Sequence, residues 1–326
     1  TTPPASATAT SAREVTASGT TVSGTVSGMV SGTVTGTVTY TLSSARAPSA
    51  MQTGALRVEL RGVELRYSPP PSVPTVPAFS MRIEPARRVC LLGRSGAGKS
   101  TIAKALARLL QPSRGEVLLG GRSLDSFGEA ELRRAVSCVP QSPHIFSGSL
   151  RDNLDPTGAQ DDRALAKACA QVGVRFPGGL DTRLSANGLS VSAGERQLLC
   201  LARALLVGAG LIVLDEATSS LSERTMAPID AALSACCGPR GDRPEGGGPA
   251  CCDGAHRTAT VLQIAHQTAA VMRCDEVVVM VAGRLAERGP PQELLDGRCG
   301  DGLFASLVRH DARGQAWDSR HQSHSV

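Results

Sequence analysis

Arg87–Thr101 reads RRVCLLGRSGAGKST, a short apolar run, a glycine-rich turn, then a lysine and two hydroxyl residues. Gly93, Gly98, Lys99 and Ser100 fill the spacing GxxxxGK[ST], with Ser95, Gly96 and Thr101 within or beside it, so the stretch reads as a phosphate-binding loop. Val89–Leu92 predicts the strand that must precede such a loop, and IAKALARLL, to Leu110, predicts the helix that must follow it. Glycines at 93, 96 and 98 let the backbone wrap a phosphate chain with its N–H groups. Those donors end at a helix N-terminus, which favours negative charge. Lys99 is placed to reach the β- and γ-phosphates and the Ser100 hydroxyl to ligate Mg²⁺.

A second apolar run, LIVLDE, ends in Asp215 and Glu216. In open α/β sheets the carboxyl ends of the strands are where ligands bind. Without a phosphate loop this acid pair would read as an ordinary helix cap. With one, Asp215 is a candidate to hold Mg²⁺ and Glu216 to polarise an attacking water. Gln141 follows the strand VSCVP and His266 follows VLQIA. Alone, each would be a turn residue or a satisfied polar group. At the shared edge of a parallel sheet, Gln141 can contact Mg²⁺ and water, and His266 the γ-phosphate.

The 326 residues suffice for one large or two smaller domains with a buried core. Aromatics are only 2% of the chain, so the core must be aliphatic. The net charge of +5 is scattered among 34 basic and 29 acidic residues, without the basic run or aromatic interleaving of a nucleic-acid groove. Ten irregularly spaced cysteines, several inside predicted strands and helices, fit buried thiols in a reducing compartment better than a disulfide framework. Cys236–Cys237 and Cys251–Cys252 lack CxxC spacing, and the Gly, Pro and Arg between them read as a flexible insertion rather than a zinc or redox site. No run of eighteen apolar residues and no signal-peptide pattern is found.

Residues 1–52 are rich in Thr, Ser, Gly and Val, with a four-residue near-repeat (TVSG, TVSG, MVSG, TVTG). So few large side chains predict an unordered segment, with a small repetitive β structure as the alternative. LRVELRGVELRY predicts strands of a small antiparallel sheet, and PPPSVPTVP a surface loop. Residues 142–195 predict a helical subdomain. Strand and helix then alternate through EVVVMVAGRL, taken as one strand, to the helices PQELL and LFASLV. Apolar strands alternating with helices imply a parallel sheet covered on both faces.

Taken in order, GRSGAGKST, CVPQ, VSAGERQ, LIVLDE and IAHQ resemble the nucleotide-binding domain of an ABC transporter. FSGSLRDNLDP and RQLLCLARALL resemble the C subfamily, the multidrug-resistance-associated type, and Glu216 favours its second such domain. The resemblance runs from about Leu56 to His310 and implies a P-loop NTPase (RecA-like) α/β fold. Its parts would be a parallel-sheet core, a small antiparallel β subdomain and an inserted α-helical subdomain. It places the ATP-binding domain at 53–310, with an atypical insertion at about 236–257 and a tail at 311–326. It implies that Tyr67 stacks on adenine, Gly93–Thr101 bind the phosphates of ATP, and Ser100, Gln141 and Asp215 hold Mg²⁺. Glu216 would be the catalytic base, His266 the switch histidine and Gln141 the γ-phosphate sensor. Ser192 and Gly194, in VSAGERQ, would contact ATP held by a second nucleotide-binding domain paired head to tail.

Such a pair would power coupled transmembrane domains at the cytoplasmic face of a membrane. Those domains are expected on another chain or another part of the gene product. An ATP-gated regulatory module with little hydrolysis is the alternative. A DNA-repair or translation ATPase would need coiled coils or tandem domains, which the sequence lacks. Four departures from the family pattern stand out: Ala193 and Glu195 in the signature, Ser222 where an aspartate is usual, and LSANG without its usual glutamate. A new acid at 195 would repel a triphosphate unless it points outward.

Overall fold

The computed structural model describes residues 10–16, 19–25, 54–67, 74–185, 191–217, 223–237, 259–265, 268–298 and 302–312. The chain divides into two compact units, 1–52 and 53–326. In the first, β1 (Thr10–Thr16) pairs antiparallel with β2 (Gly19–Thr25). β-branched Thr and Val favour the extended backbone there; the near-repeat from Val26 onward lies outside the described residues.

The second unit begins with an antiparallel sheet of β3 (Val58–Leu65), β4 (Val76–Ile83), β6 (Arg114–Leu119) and the short β7 (Arg122–Ser123), in the order β4-β3-β6-β7. LRVELRGVELRY supplies one strand rather than several, its register shifting between Leu60 and Val63. β4 starts inside the proline-rich stretch expected to be a loop, because an edge strand tolerates Pro77, whose missing N–H would face away from the ladder.

The core sheet contains β5 (Arg88–Gly93), β8 (Val136–Val139), β11 (Leu211–Asp215), β12 (Thr260–Ile264), β13 (Glu276–Val281) and β14 (Arg284–Gly289), in the order β14-β13-β5-β12-β11-β8. All pairs are parallel except β13–β14. EVVVMVAGRL is therefore two strands, joined by a two-residue turn with Ala282 at φ 48° and Gly283 at φ 77°, the left-handed pair a tight hairpin requires.

Alternate residues of β5 face opposite layers. Val89 and Leu91 pack with Ile102 and Leu106 of α1 (Lys99–Leu106), Leu132 of α2 (Glu129–Ala135) and the antiparallel sheet. Cys90 and Leu92 share the other core with α5 (Ala193–Val207) and α6 (Glu223–Cys237). α1 stops short of the expected Leu110 because the chain turns left-handed at Arg108, φ 54°.

Between β8 and α5 lie α3 (Leu150–Leu154), α4 (Asp162–Gln171) and the two-residue pair β9 (Gly148–Ser149) and β10 (Arg183–Leu184). Ser149 and Asp161 cap the two helices by accepting from Asp152 N–H at 3.1 Å and Ala164 N–H at 2.7 Å. Beyond α7 (Thr268–Val271) and α8 (Pro291–Leu295), the buried Glu287 carboxylate accepts from Leu303 and Phe304 N–H at 2.8 Å each. It thereby anchors α9 (Leu303–Ala312). Cys90, Cys169, Cys200, Cys237 and Cys274 are buried as expected, whereas Cys138 is exposed on the edge strand β8.

At the opposite end of β5 from the loop, Arg88 is only 2% exposed. Its Nη2 donates to Asp230 Oδ1 of α6 at 2.7 Å and to Gln263 Oε1 of β12 at 2.8 Å, and Arg273 also pairs with Asp230. Removing one partner of a buried ion pair strands the other's charge. Asp230→Ala should lower unfolding stability by about 3–5 kcal/mol, read from the urea midpoint. A loss below about 1 kcal/mol, the worth of an exposed pair, would show that the contact does not anchor the sheet.

Candidate functional site

Parallel pairing sets the ends of β5, β8, β11 and β12 along one edge, in registers that match Leu91 to Ile264, Asp215 to Ile264 and Leu214 to Val139. The loop leaving β5 is shaped by crowding. Gly93 has φ 156°, and a Cβ there would lie 2.4 Å from the Met280 carbonyl oxygen of β13. Gly98 has φ 92°, and a Cβ there would lie 2.6 Å from Val76 Cγ2 of β4. Ser95 and Gly96 form the exposed crown of the turn, which Ala97 N–H closes onto the Arg94 carbonyl at 3.1 Å.

Lys99 is buried and turns back on its own loop, donating to the carbonyls of Gly93 at 2.7 Å and Arg94 at 2.9 Å. An ammonium has three donors, so one remains for a phosphate while the other two hold the loop closed. Burial pushes the Lys99 ammonium below the usual lysine range, opposed by the carboxylates of Glu216 and Asp215. One residue on, Ser100 Oγ donates to Asp215 Oδ1 at 2.8 Å. Burial raises the Asp215 carboxyl above its usual range, the Ser100 bond opposes the rise and Glu216 adds to it.

The chain turns sharply after Asp215. Glu216 has φ 51°, a left-handed conformation rare outside glycine. Its N–H donates to the Ile264 carbonyl at 3.2 Å, and its Oε2 accepts from Gln141 Nε2 at 2.6 Å. Ser100, Asp215, Glu216 and Gln141 thus form two contacting pairs drawn from three segments far apart in sequence. Their hydroxyl, carboxylate and amide oxygens form the hard donor set that suits Mg²⁺ beside a phosphate, and the glycine-lined loop offers the close backbone approach a triphosphate needs.

Tyr67, exposed, lies 3.3 Å through its hydroxyl from Thr101 Oγ1 and accepts from Lys104 Nζ at 3.3 Å. Lys104 Nζ also lies 5.3 Å from the centroid of its ring. Ser192 and Gly194 sit at the N-terminus of α5, with the hydrogen bonds of Ser192 kept within its own turn. His266, Ser222, residues 186–190 and Cys251–Cys252 lie outside the described residues. Among the described residues no cluster of three or more His, Cys, Asp or Glu could hold a metal by itself, and no helix is long and apolar enough to cross a membrane.

Sequence reading alone missed the bracket behind Gln141. The fully buried Asn153 accepts from Phe146 N–H at 2.9 Å and donates to the carbonyls of Phe146 at 2.9 Å and Ser149 at 3.0 Å. Arg203 of α5 donates to Asn153 Oδ1 at 2.9 Å and to the His144 carbonyl at 2.8 Å. The segment after Gln141 is thereby tied to the helix that begins at Ser192. A lone Asn and a lone Arg carry no motif.

Residues 76–219 match the family described as ABC transporter. The chain is 36% identical over 258 residues to ABC transporter C family member 13 of Arabidopsis thaliana, a match covering 77% of this chain and 17% of that protein. It is 36% identical over 263 residues to ATP-binding cassette sub-family C member 10 of Mus musculus, covering 79% of this chain and 16% of that protein. The structure of a bacterial Atm1-family ABC exporter with ATP bound aligns with a TM-score of 0.69 at 27% identity, covering 82% of this chain and 44% of that one. The chain thus spans only a small part of the length of these curated relatives.

The raised carboxyl of Asp215 has a consequence for stability. A carboxyl whose folded pKa exceeds its unfolded value disfavours the fold as pH rises past that unfolded value, because the ionised form is worse housed in the fold. At neutral pH, Asp215→Asn, which can still accept from Ser100, should raise the melting temperature of the ligand-free protein. A lower melting temperature would mean that the ionised carboxylate stabilises the fold.

Proposed function

This chain carries an ATP-binding domain of the ABC transporter family, and from that premise we propose that it binds and hydrolyses ATP to drive coupled transmembrane domains. The observation that carries the reading is the convergence of Ser100 on Asp215 and of Gln141 on Glu216, at 2.8 and 2.6 Å, beside the glycine-lined loop. The loop N–H groups and the third donor of Lys99 bind the β- and γ-phosphates. Tyr67 packs against the adenine, with its hydroxyl fixed to α1. Ser100 and Asp215, with Gln141, would hold Mg²⁺, which when bound neutralises charge on the phosphates. Glu216 takes the proton of the attacking water, and the Gln141 amide holds that carboxylate in position. His266 contacts the γ-phosphate.

A second nucleotide-binding domain completes the site by pairing head to tail and lending its signature serine and glycine. Ser192 and Gly194 are this chain's counterparts. The domain works at the cytoplasmic face of a membrane, as the second nucleotide-binding domain of a C-subfamily-like transporter. Transport requires the transmembrane domains, carried on another chain or on another part of the gene product.

Two variants test the assignment. Wild-type protein at about 100 times the Kd in Mg-ATP should gain about 2.7 kcal/mol of stability, and Lys99→Ala should lose that gain. Unchanged stabilisation by nucleotide would overturn the phosphate-loop assignment. Glu216→Gln should keep the stabilisation while turnover, assayed as phosphate release with a nucleotide-binding partner domain present, falls by roughly 10²–10⁴. A wild-type chain that binds ATP but turns it over no faster than this variant would instead be the ATP-gated regulatory module.

A further inference from the structure

Tyr67 lies two residues beyond the end of β3, yet its side chain is held from α1. Thr101 and Lys104 stand three residues apart in that helix and so share a face. Each lies 3.3 Å from the phenol oxygen. An ammonium can only donate, so Lys104 Nζ donates to Tyr67 Oη and leaves the phenol's own hydrogen for Thr101 Oγ1, one residue past Ser100 of the phosphate loop. The ammonium is also within the distance at which a cation is attracted to an aromatic ring. Lys104 is exposed, and Tyr67 is its only hydrogen-bond partner among the described residues. Keeping a lysine side chain in one place costs rotamer entropy. What that cost secures here is the position of Tyr67.

We propose that Lys104 is a positioning residue: it fixes the ring of Tyr67 for stacking and so sets how much affinity the nucleobase adds to that of the triphosphate. The proposal rests on the Tyr67–adenine contact proposed above and adds the residue that makes it effective. Tyr67 is 39% exposed, so its ring has surface left for a planar base. A side chain just past the end of a strand samples several rotamers when only its backbone is held. Tethering its far end to α1 removes that ordering cost before the ligand arrives, and such preorganisation raises affinity. Because α1 starts at the phosphate loop, the tether also places the base and phosphate contacts on one rigid element. A lysine here has a rival use, direct attraction of the triphosphate by its charge. That use would act on any polyphosphate, with or without a base.

The test is calorimetric titration of the full chain with Mg-ATP and with Mg-tripolyphosphate, which lacks the base, at about 0.15 M salt to screen long-range attraction. Lys104→Met keeps the side chain's apolar stem and removes its donor and charge. It should weaken Mg-ATP binding about 3- to 10-fold, the equivalent of one hydrogen bond, and leave Mg-tripolyphosphate binding unchanged. In a Tyr67→Leu background, Lys104→Met should weaken Mg-ATP binding no further. Equal losses for the two ligands, or the same loss of Mg-ATP binding with Tyr67 already replaced, would show that Lys104 acts on the phosphates and overturn the proposal. So would an undiminished Mg-ATP affinity in Lys104→Met. If Tyr67→Leu binds Mg-ATP as well as the wild type does, the stacking assignment fails and the proposal falls with it, while the phosphate loop stands. If the wild type binds neither ligand, the ATP-binding reading itself is wrong.

Discussion

The site depends on a steric junction more than on any single polar bond. Three segments distant in sequence approach so closely that no Cβ fits between them. Gly93 lies against the Met280 carbonyl, Gly98 against Val76, and Gly283, in the β13–β14 turn, would place a Cβ 2.8 Å from the Thr75 carbonyl oxygen. The start of β4, the phosphate loop and the hairpin turn therefore share one close-packed point. That contact joins the small antiparallel sheet to the core sheet at the place where the loop must be rigid. It also explains why β4 begins inside a proline-rich stretch: Val76 and Pro77 are the wall on which two glycines rest. Close packing of this kind transmits small displacements rather than absorbing them.

Around the junction, electrostatics work against the ligand-free fold. Lys99 is buried away from water with its charge directed at its own loop carbonyls, and Asp215 is half-buried beside a second carboxylate. Each group is perturbed in the direction that disfavours its charged form. Glu216 adds a left-handed backbone that few non-glycine residues adopt. Sites are commonly where such local costs collect, and the rest of the fold must offset them. Here Arg88, Asp230 and Gln263 join β5, α6 and β12 at the other end of the sheet, and two aliphatic cores cover its faces.

What the sequence discloses and what it hides divide along physical lines. The loop, the acids ending β11 and the α5 helix are local patterns, a spacing or an apolar run with a charged stop, and all three are readable. The β13–β14 hairpin is hidden because Val281-Ala282-Gly283 looks like continued strand, and only the left-handed pair Ala282 and Gly283 breaks it. Pro77 reads as loop until β4 is known to be an edge. The Arg88–Asp230 pair spans 142 residues, and Arg203 reaches Asn153 across 50, so no local pattern announces either. The direction of Glu195 is intermediate: the acid is visible in the sequence, but its choice of Ser192 over open solvent is a matter of rotamer.

The contrast between α1 and α5 shows how one physical principle serves two ends. Every α-helix leaves the N–H groups of its first turn without intrahelical partners. At α1 a glycine cap supplies no competing oxygen, so those donors and the helix dipole remain directed toward an incoming anion. At α5 the same need is met within the chain by a serine and a carboxylate three residues on. The capping box that stabilises α5 thus holds both donors of Ser192 within its own turn, whereas the donors at the start of α1 stay directed outward.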